Sequence, residues 1–137
     1  MSSFDRGALI AAAHGVAGAF LCSERCKAGS VGAALLSASG EMFTGICIDA
    51  SCSLGFCAEH AAIAEMLKHR QTRIVAIVAI HADGRILSPC GRCRELIRQV
   101  DAENWNTSVI VTDTEVVTLG ALLPFEVPVG KPRGADL

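Results

Sequence analysis

Apolar and polar positions along the chain follow two periods. Leu9, Ala13, Val16 and Phe20 recur at helical spacing and predict a helix over residues 4–21. Residues 27–30 read as a turn, and residues 31–36 as a small, apolar, buried strand. Residues 37–41 carry Gly40 and predict a hairpin turn, with a returning strand over residues 42–48. An irregular stretch, residues 49–56, is rich in Ser, Cys and Gly. It leads to a second helix from near Cys57 to about Arg70, with Ala61, Ile63, Ala64 and Leu67 as its apolar stripe.

Residues 74–80 form a continuous β-branched run, the pattern of a central strand buried on both faces. Asp83-Gly84 is a turn. Ser88-Pro89 precedes a third helix over residues 90–100, with proline at a helix start, where its missing N–H costs nothing. Residues 109–111 and 115–118 read as further strands. From residue 124 onward, proline and glycine predict an irregular tail, residues 124–137. Strands alternating with helices argue one α/β domain over residues 1–137, a three-layer α/β/α sandwich around a mixed sheet.

Composition sharpens this picture. Hydrophobic residues make up 51% of the chain and charged residues 19%, enough apolar side chains for a sizeable core. With five Phe, one Trp and no Tyr, that core must be built mainly from aliphatic residues. So apolar a small chain also points to surface buried between subunits. The helices expected over residues 4–21 and 57–70 are the candidate interface elements. The net charge of −2 comes with no basic block, so the chain lacks the electrostatic footprint of a nucleic-acid binder. The Arg92, Arg94 and Arg98 cluster reads as a solvated helix face. The apolar stretch from Ala8 to Cys22 contains His14 and is too short to cross a bilayer, and Asp5 and Arg6 cancel where a signal peptide would be cationic. A cytosolic protein with no membrane partner is therefore expected.

Seven cysteines suit a metal or catalytic role better than a disulfide framework. Cys22 and Cys26 read as small buried hydrophobes. Cys90-Gly91-Arg92-Cys93 places two thiols on one face at a helix start. Cys57 opens the other helix, and each helix start follows an expected strand, so all three thiols can meet at one sheet edge. Three thiolates suit zinc and leave the fourth tetrahedral position for water, whose pKa the metal lowers. One zinc ion per chain is expected. Glu59 lies two residues past Cys57, off the ligand direction, where a carboxylate can move protons to and from that water. Zinc with three thiolates carries net negative charge. The two helix N-termini, His60 and Arg94 are the candidates to offset it.

Cys57-Ala58-Glu59 together with Pro89-Cys90-Gly91-Arg92-Cys93-Arg94 resembles the cytidine deaminase family, in which this signature marks zinc deaminases. Similarity extends to residues 31–35, Thr44-Gly45 and Leu122-Leu123-Pro124, and residues 86–94 are especially similar to the blasticidin-S deaminase branch. The resemblance implies a three-layer α/β/α fold and a homotetramer. It also implies hydrolytic loss of ammonia from C4 of a free cytosine nucleoside, with zinc on Cys57, Cys90 and Cys93 and Glu59 as the proton carrier. Cys47, Asp49 and Ala58 are the candidate substrate contacts. Cys47 and Asp49 stand where the family carries an Asn-x-Glu arm for the ribose. Gly29 replaces an aromatic, and His60 an arginine. A modified nucleoside such as blasticidin S is the alternative substrate. A deaminase of tRNA or single-stranded DNA and a structural zinc module completed by Cys47 or Cys52 are the other readings.

Overall fold

The computed structural model describes residues 3–126 and residue 128. Helix α1, Arg6–Val16, is capped by Asp5, whose side chain accepts from the Ala8 N–H at 2.9 Å. It is followed by β1 (Phe20–Ser23), β2 (Cys26–Ser37) and β3 (Met42–Ala50). Helix α2 spans Ala58–Lys68, and strands β4 and β5 span Ile74–His81 and Ile86–Leu87. Helix α3 (Gly91–Val100) and a 3-10 turn (Ala102–Asn106) precede β6 (Ser108–Ile110), β7 (Val116–Thr118) and the short α4 (Leu119–Leu122).

The seven strands of the described residues form one mixed sheet. Its spine runs β1-β2-β4-β6-β7, with β3 on β2 and β5 on β4. β4 and β6 are parallel and the other pairs antiparallel. Side chains alternate across the sheet, as strand geometry requires. Ala33, Leu35, Ile77 and Ala79 enter one core with Ala62, Ile63 and Met66 of α2 and Ile97 of α3. Ala34, Ala76, Val78 and Ile80 enter the other with Leu9 and Ala13 of α1. This is the expected three-layer α/β/α arrangement. Burial of Ile63 or Met66 contributes about 2 kcal/mol each. Buried Asn104 ties the layers: its amide donates to Thr72 O and Ile97 O, and its oxygen accepts from the Ile74 N–H at 2.8 Å.

Several expectations are corrected. The first helix stops at Val16, and Phe20 lies on an exposed strand. Gly15 and Gly18 weaken the helix there, and the Gly18 N–H donates instead to Gly29 O at 2.7 Å. Residues 27–30 belong to β2. Gly29, at φ +86°, makes an irregularity in that strand, where the β3 register shifts between Ala28 and Gly32. Ala62, Ile63 and Met66 form the buried face of α2, while Ala64 is exposed. Cys22 is exposed and Cys26 only half-buried, so neither is a core residue. Of the expected tail, residues 124–126 and 128 carry no helix or strand, and the rest lies outside the described residues.

Candidate active site

Strand β3, the loop after it and the starts of α2 and α3 converge on one cavity of about 470 Å³. Cys57 and Cys90 are the N-cap residues of α2 and α3. N-caps usually carry oxygen side chains that bond the first-turn amides. Neither cysteine makes such a side-chain cap bond, and both thiols turn toward each other instead. The Cys57 and Cys90 sulfurs are 3.3 Å apart, and those of Cys90 and Cys93 are 3.5 Å apart. All three lie within 4.8 Å of one another. Tetrahedral zinc with bonds of about 2.3 Å holds its sulfurs about 3.8 Å apart, so the cluster fits that ion with small adjustments.

Electrostatics set the thiols apart. Burial, together with hydrogen bonding to Cys90 and the nearby Glu59 charge, pushes Cys57 up to about 11. Burial raises Cys93 further, aided by Glu59. Burial also pulls Cys90 upward, but the Cys93 and Arg92 N–H groups and the neighbouring thiols outweigh it, and the net direction is down. A cation that binds here therefore displaces protons from at least the two raised thiols.

Glu59 is 5% exposed and lines the cavity beside Cys57 and Cys90. Burial raises its pKa, opposed in part by its own backbone N–H and less by the neighbouring Cys93 thiol. Ala58 also lines the cavity, and as the first residue of α2 its N–H has no acceptor within the helix. His60 brings Nδ1 to 3.5 Å from the Cys93 sulfur, and burial and the Arg92 charge lower its pKa. Arg94 follows Cys93 on α3. Its guanidinium donates to Pro89 O at 2.9 Å, Leu122 O at 3.2 Å and Ser88 Oγ at 3.4 Å, holding the segment before Cys90 against α4.

Cys47 and Asp49 both line the cavity. The Cys47 thiol is buried, accepts from the Val31 N–H at 3.4 Å and lies 3.3 Å from Ser30 Oγ. Asp49 is exposed at the rim. Cys52 is also exposed and stands outside the thiol cluster. Gly29 does not line the cavity, and a Cβ there would collide with the Gly18 carbonyl. Its positive φ and this close approach both require glycine. Ser30, Phe56, Ser88 and Arg92 also line the cavity and are not among the expected site residues. Phe56 and Arg92 adjoin the ligands in sequence, which is a usable signal. Ser30 lies where the local pattern suggests a turn, and offers none.

These features define a class: an α/β protein with a three-thiolate metal site, open to a cavity and flanked by a buried carboxylate. Residues 8–109 match the cytidine and deoxycytidylate deaminase zinc-binding region, and the chain belongs to that family. The cytidine deaminase of Mycobacterium tuberculosis is 33% identical over 87 residues, which span 63% of this chain and 63% of that protein. The cytidine deaminase of Halalkalibacterium halodurans is 31% identical over 97 residues, 69% of this chain and 74% of that one. The crystal structure of the M. tuberculosis cytidine deaminase matches with a TM-score of 0.78 at 29% identity, over 93% of this chain and 100% of that one. The cytidine deaminase from Burkholderia pseudomallei gives a TM-score of 0.69 at 28% identity, over 88% and 98%. Zinc is thus the ion that the Cys57, Cys90 and Cys93 cluster is able to hold.

Proposed function

We propose that the chain is a zinc-dependent aminohydrolase that converts a free cytosine nucleoside, cytidine or deoxycytidine, to the uracil nucleoside and ammonia. The observation that carries this reading is the buried Glu59 carboxylate beside three clustered thiols on one cavity. Cys57, Cys90 and Cys93 hold the ion. Bound there, zinc acts as a Lewis acid that makes water a nucleophile at neutral pH. The oxygen adds to C4 as the C4–N3 π bond opens onto N3, and only afterwards does the C4–N bond to the exocyclic amine break as the C4 carbonyl forms. Glu59 carries the two protons of water in turn, the first to N3 and the second to the amine, which leaves as ammonia. Its buried position keeps bulk water from competing for that proton. The N-termini of α2 and α3 and the Arg94 charge offset the excess negative charge of the thiolates, and the His60 ring lies against the Cys93 sulfur as a hydrogen-bonding group rather than a charge.

Asp49, a carboxylate at the rim, suits the hydroxyls of a sugar. The Ala58 N–H is a donor for the base. Cys47 is held by Ser30 and Val31 and makes a weak sugar contact. An exposed rim at Asp49 also leaves room for a bulkier group, which favours blasticidin S as the alternative substrate. The test is kcat/KM for wild type and Asp49→Ala on cytidine, deoxycytidine and blasticidin S. A raised KM for Asp49→Ala is expected, and an unchanged KM on every active substrate would remove Asp49 from the site.

A homotetramer in the cytoplasm is proposed as the working form. Free thiols suit a reducing compartment, and no helix among the described residues is long and apolar enough to cross a membrane. Phe20 and Leu21 on β1 are 53% and 75% exposed, which suits coverage by another subunit. Light scattering that gave a monomer at micromolar concentration would contradict the tetramer.

A further inference from the structure

Cys22 and Cys26 take no part in the proposed zinc site. They flank the turn of the β1–β2 hairpin, with Ser23, Glu24 and Arg25 between them. Leu21 pairs with Lys27, and Ser23 with Cys26, so the register slips at Cys22. Cys22 is the extra residue of a bulge, beside the Ser23–Cys26 pair. A bulge sets two residues of one strand against one residue of the other. The directly paired Ser23 and Cys26 have Cα atoms about 4.5–5.5 Å apart, and Cys22 sits one step along the strand from that pair, beside the span of about 4.4–6.8 Å that a disulfide bridges. Interaction with the neighbouring Cys22 side chain holds the Cys26 thiol above its ordinary pKa. Cys22 is exposed and Cys26 half-buried, so small reagents can reach the pair.

The pair is also wired to the cavity. Across β2, Cys26 pairs with Ala50 and Lys27 with Asp49. Asp49 and Ala50 both line the cavity. We propose that Cys22 and Cys26 form a reversible dithiol–disulfide site at the cavity rim, whose oxidation by a low-molecular-weight disulfide shifts the Asp49 end of β3 and weakens nucleoside binding.

The exchange balances. Cys22, the more exposed thiol, attacks one sulfur of the oxidant as its thiolate. The oxidant's S–S bond breaks, and one small thiolate leaves and takes up the proton given up by Cys22. Cys26 then attacks the Cys22 sulfur of the mixed disulfide. The Cys22–Cys26 bond forms, and the second small thiol leaves with the proton from Cys26. The protein sulfurs are oxidised, and the oxidant is reduced to its thiols. A bridge at Cys22 is exposed to solvent, and exposed disulfides have the more oxidising potentials of labile sites. The pair therefore stays reduced in a reducing compartment and closes when the poise shifts.

The coupling to nucleoside binding rests on the proposed deaminase reading, whereas the disulfide does not. Zinc-loaded protein is incubated with oxidised glutathione, digested without reduction and mapped by mass spectrometry. A Cys22–Cys26 linked peptide that dithiothreitol reverses is expected. Separate glutathione adducts on Cys22 and Cys26, or both thiols remaining free, would overturn the site. The second arm is KM for ammonia release before and after oxidation, with Cys22→Ser as the control. A several-fold rise in wild type, absent in Cys22→Ser, is expected. An equal KM before and after oxidation would overturn the coupling. Absence of ammonia release from the reduced protein strikes the proposed activity, and the peptide map still decides the disulfide.

Discussion

The Cys57 and Cys90 sulfurs meet at 3.3 Å although 33 positions separate them in the chain. The contact joins the starts of α2 and α3, which otherwise share few packing residues. Four polar groups crowd the same corner: the three thiols and the Glu59 carboxylate. Burial disfavours charge on Cys57 and Cys93, so a cation is the natural partner that stabilises this corner.

Removing ligands therefore removes both metal and stability. The Cys90→Ala/Cys93→Ala double variant is expected to purify without zinc and to melt well below wild type, because metal binding and folding are coupled. Elemental analysis beside a thermal melt checks this. Zinc retained at one ion per chain in that variant would exclude the ligand assignment.

Glu59→Gln keeps the shape of the side chain and removes its ability to carry a proton. Turnover is expected to fall by about a hundredfold or more, with zinc content and melting temperature unchanged. Near-normal turnover in a zinc-replete preparation would reduce Glu59 to a first-turn charge on α2.

Gly45 sets the seat of α2. A Cβ there would lie 2.6 Å from Ala61 Cβ and 2.7 Å from Ala58 O, both in the helix that carries Glu59. Gly45→Ala is expected to cost about 1–3 kcal/mol, the usual range for overpacking, and to weaken zinc retention by moving Cys57. Denaturant unfolding with and without a chelator measures both effects. A stability equal to wild type would mean that α2 is free to shift outward.

Much of this was legible in the sequence. The β-branched run of β4 and the two cysteine motifs announce themselves, because a strand buried on both faces and a metal site tolerate few residue types. From Val16 to Ser30 the local pattern misleads. Val16 and Phe20 keep helical spacing, and only Gly15 and Gly18 hint that the helix ends. Gly29 looked like a turn residue, yet its positive φ serves an irregularity inside β2. Alanines on both sides of α2 leave the phase of its apolar stripe poorly defined in the sequence. β5 and α4 are too short to carry a period. The Arg94 bonds to Pro89, Ser88 and Leu122 depend on tertiary contacts that no local pattern encodes.

Zinc-dependent ammonia release from cytidine is the most direct measurement. Protein with one zinc ion per chain should convert cytidine to uridine with one ammonia per uridine. Activity should disappear when a chelator strips the metal and return when zinc is restored. A zinc-replete, folded protein that releases no ammonia from cytidine, deoxycytidine or blasticidin S would contradict the proposed function.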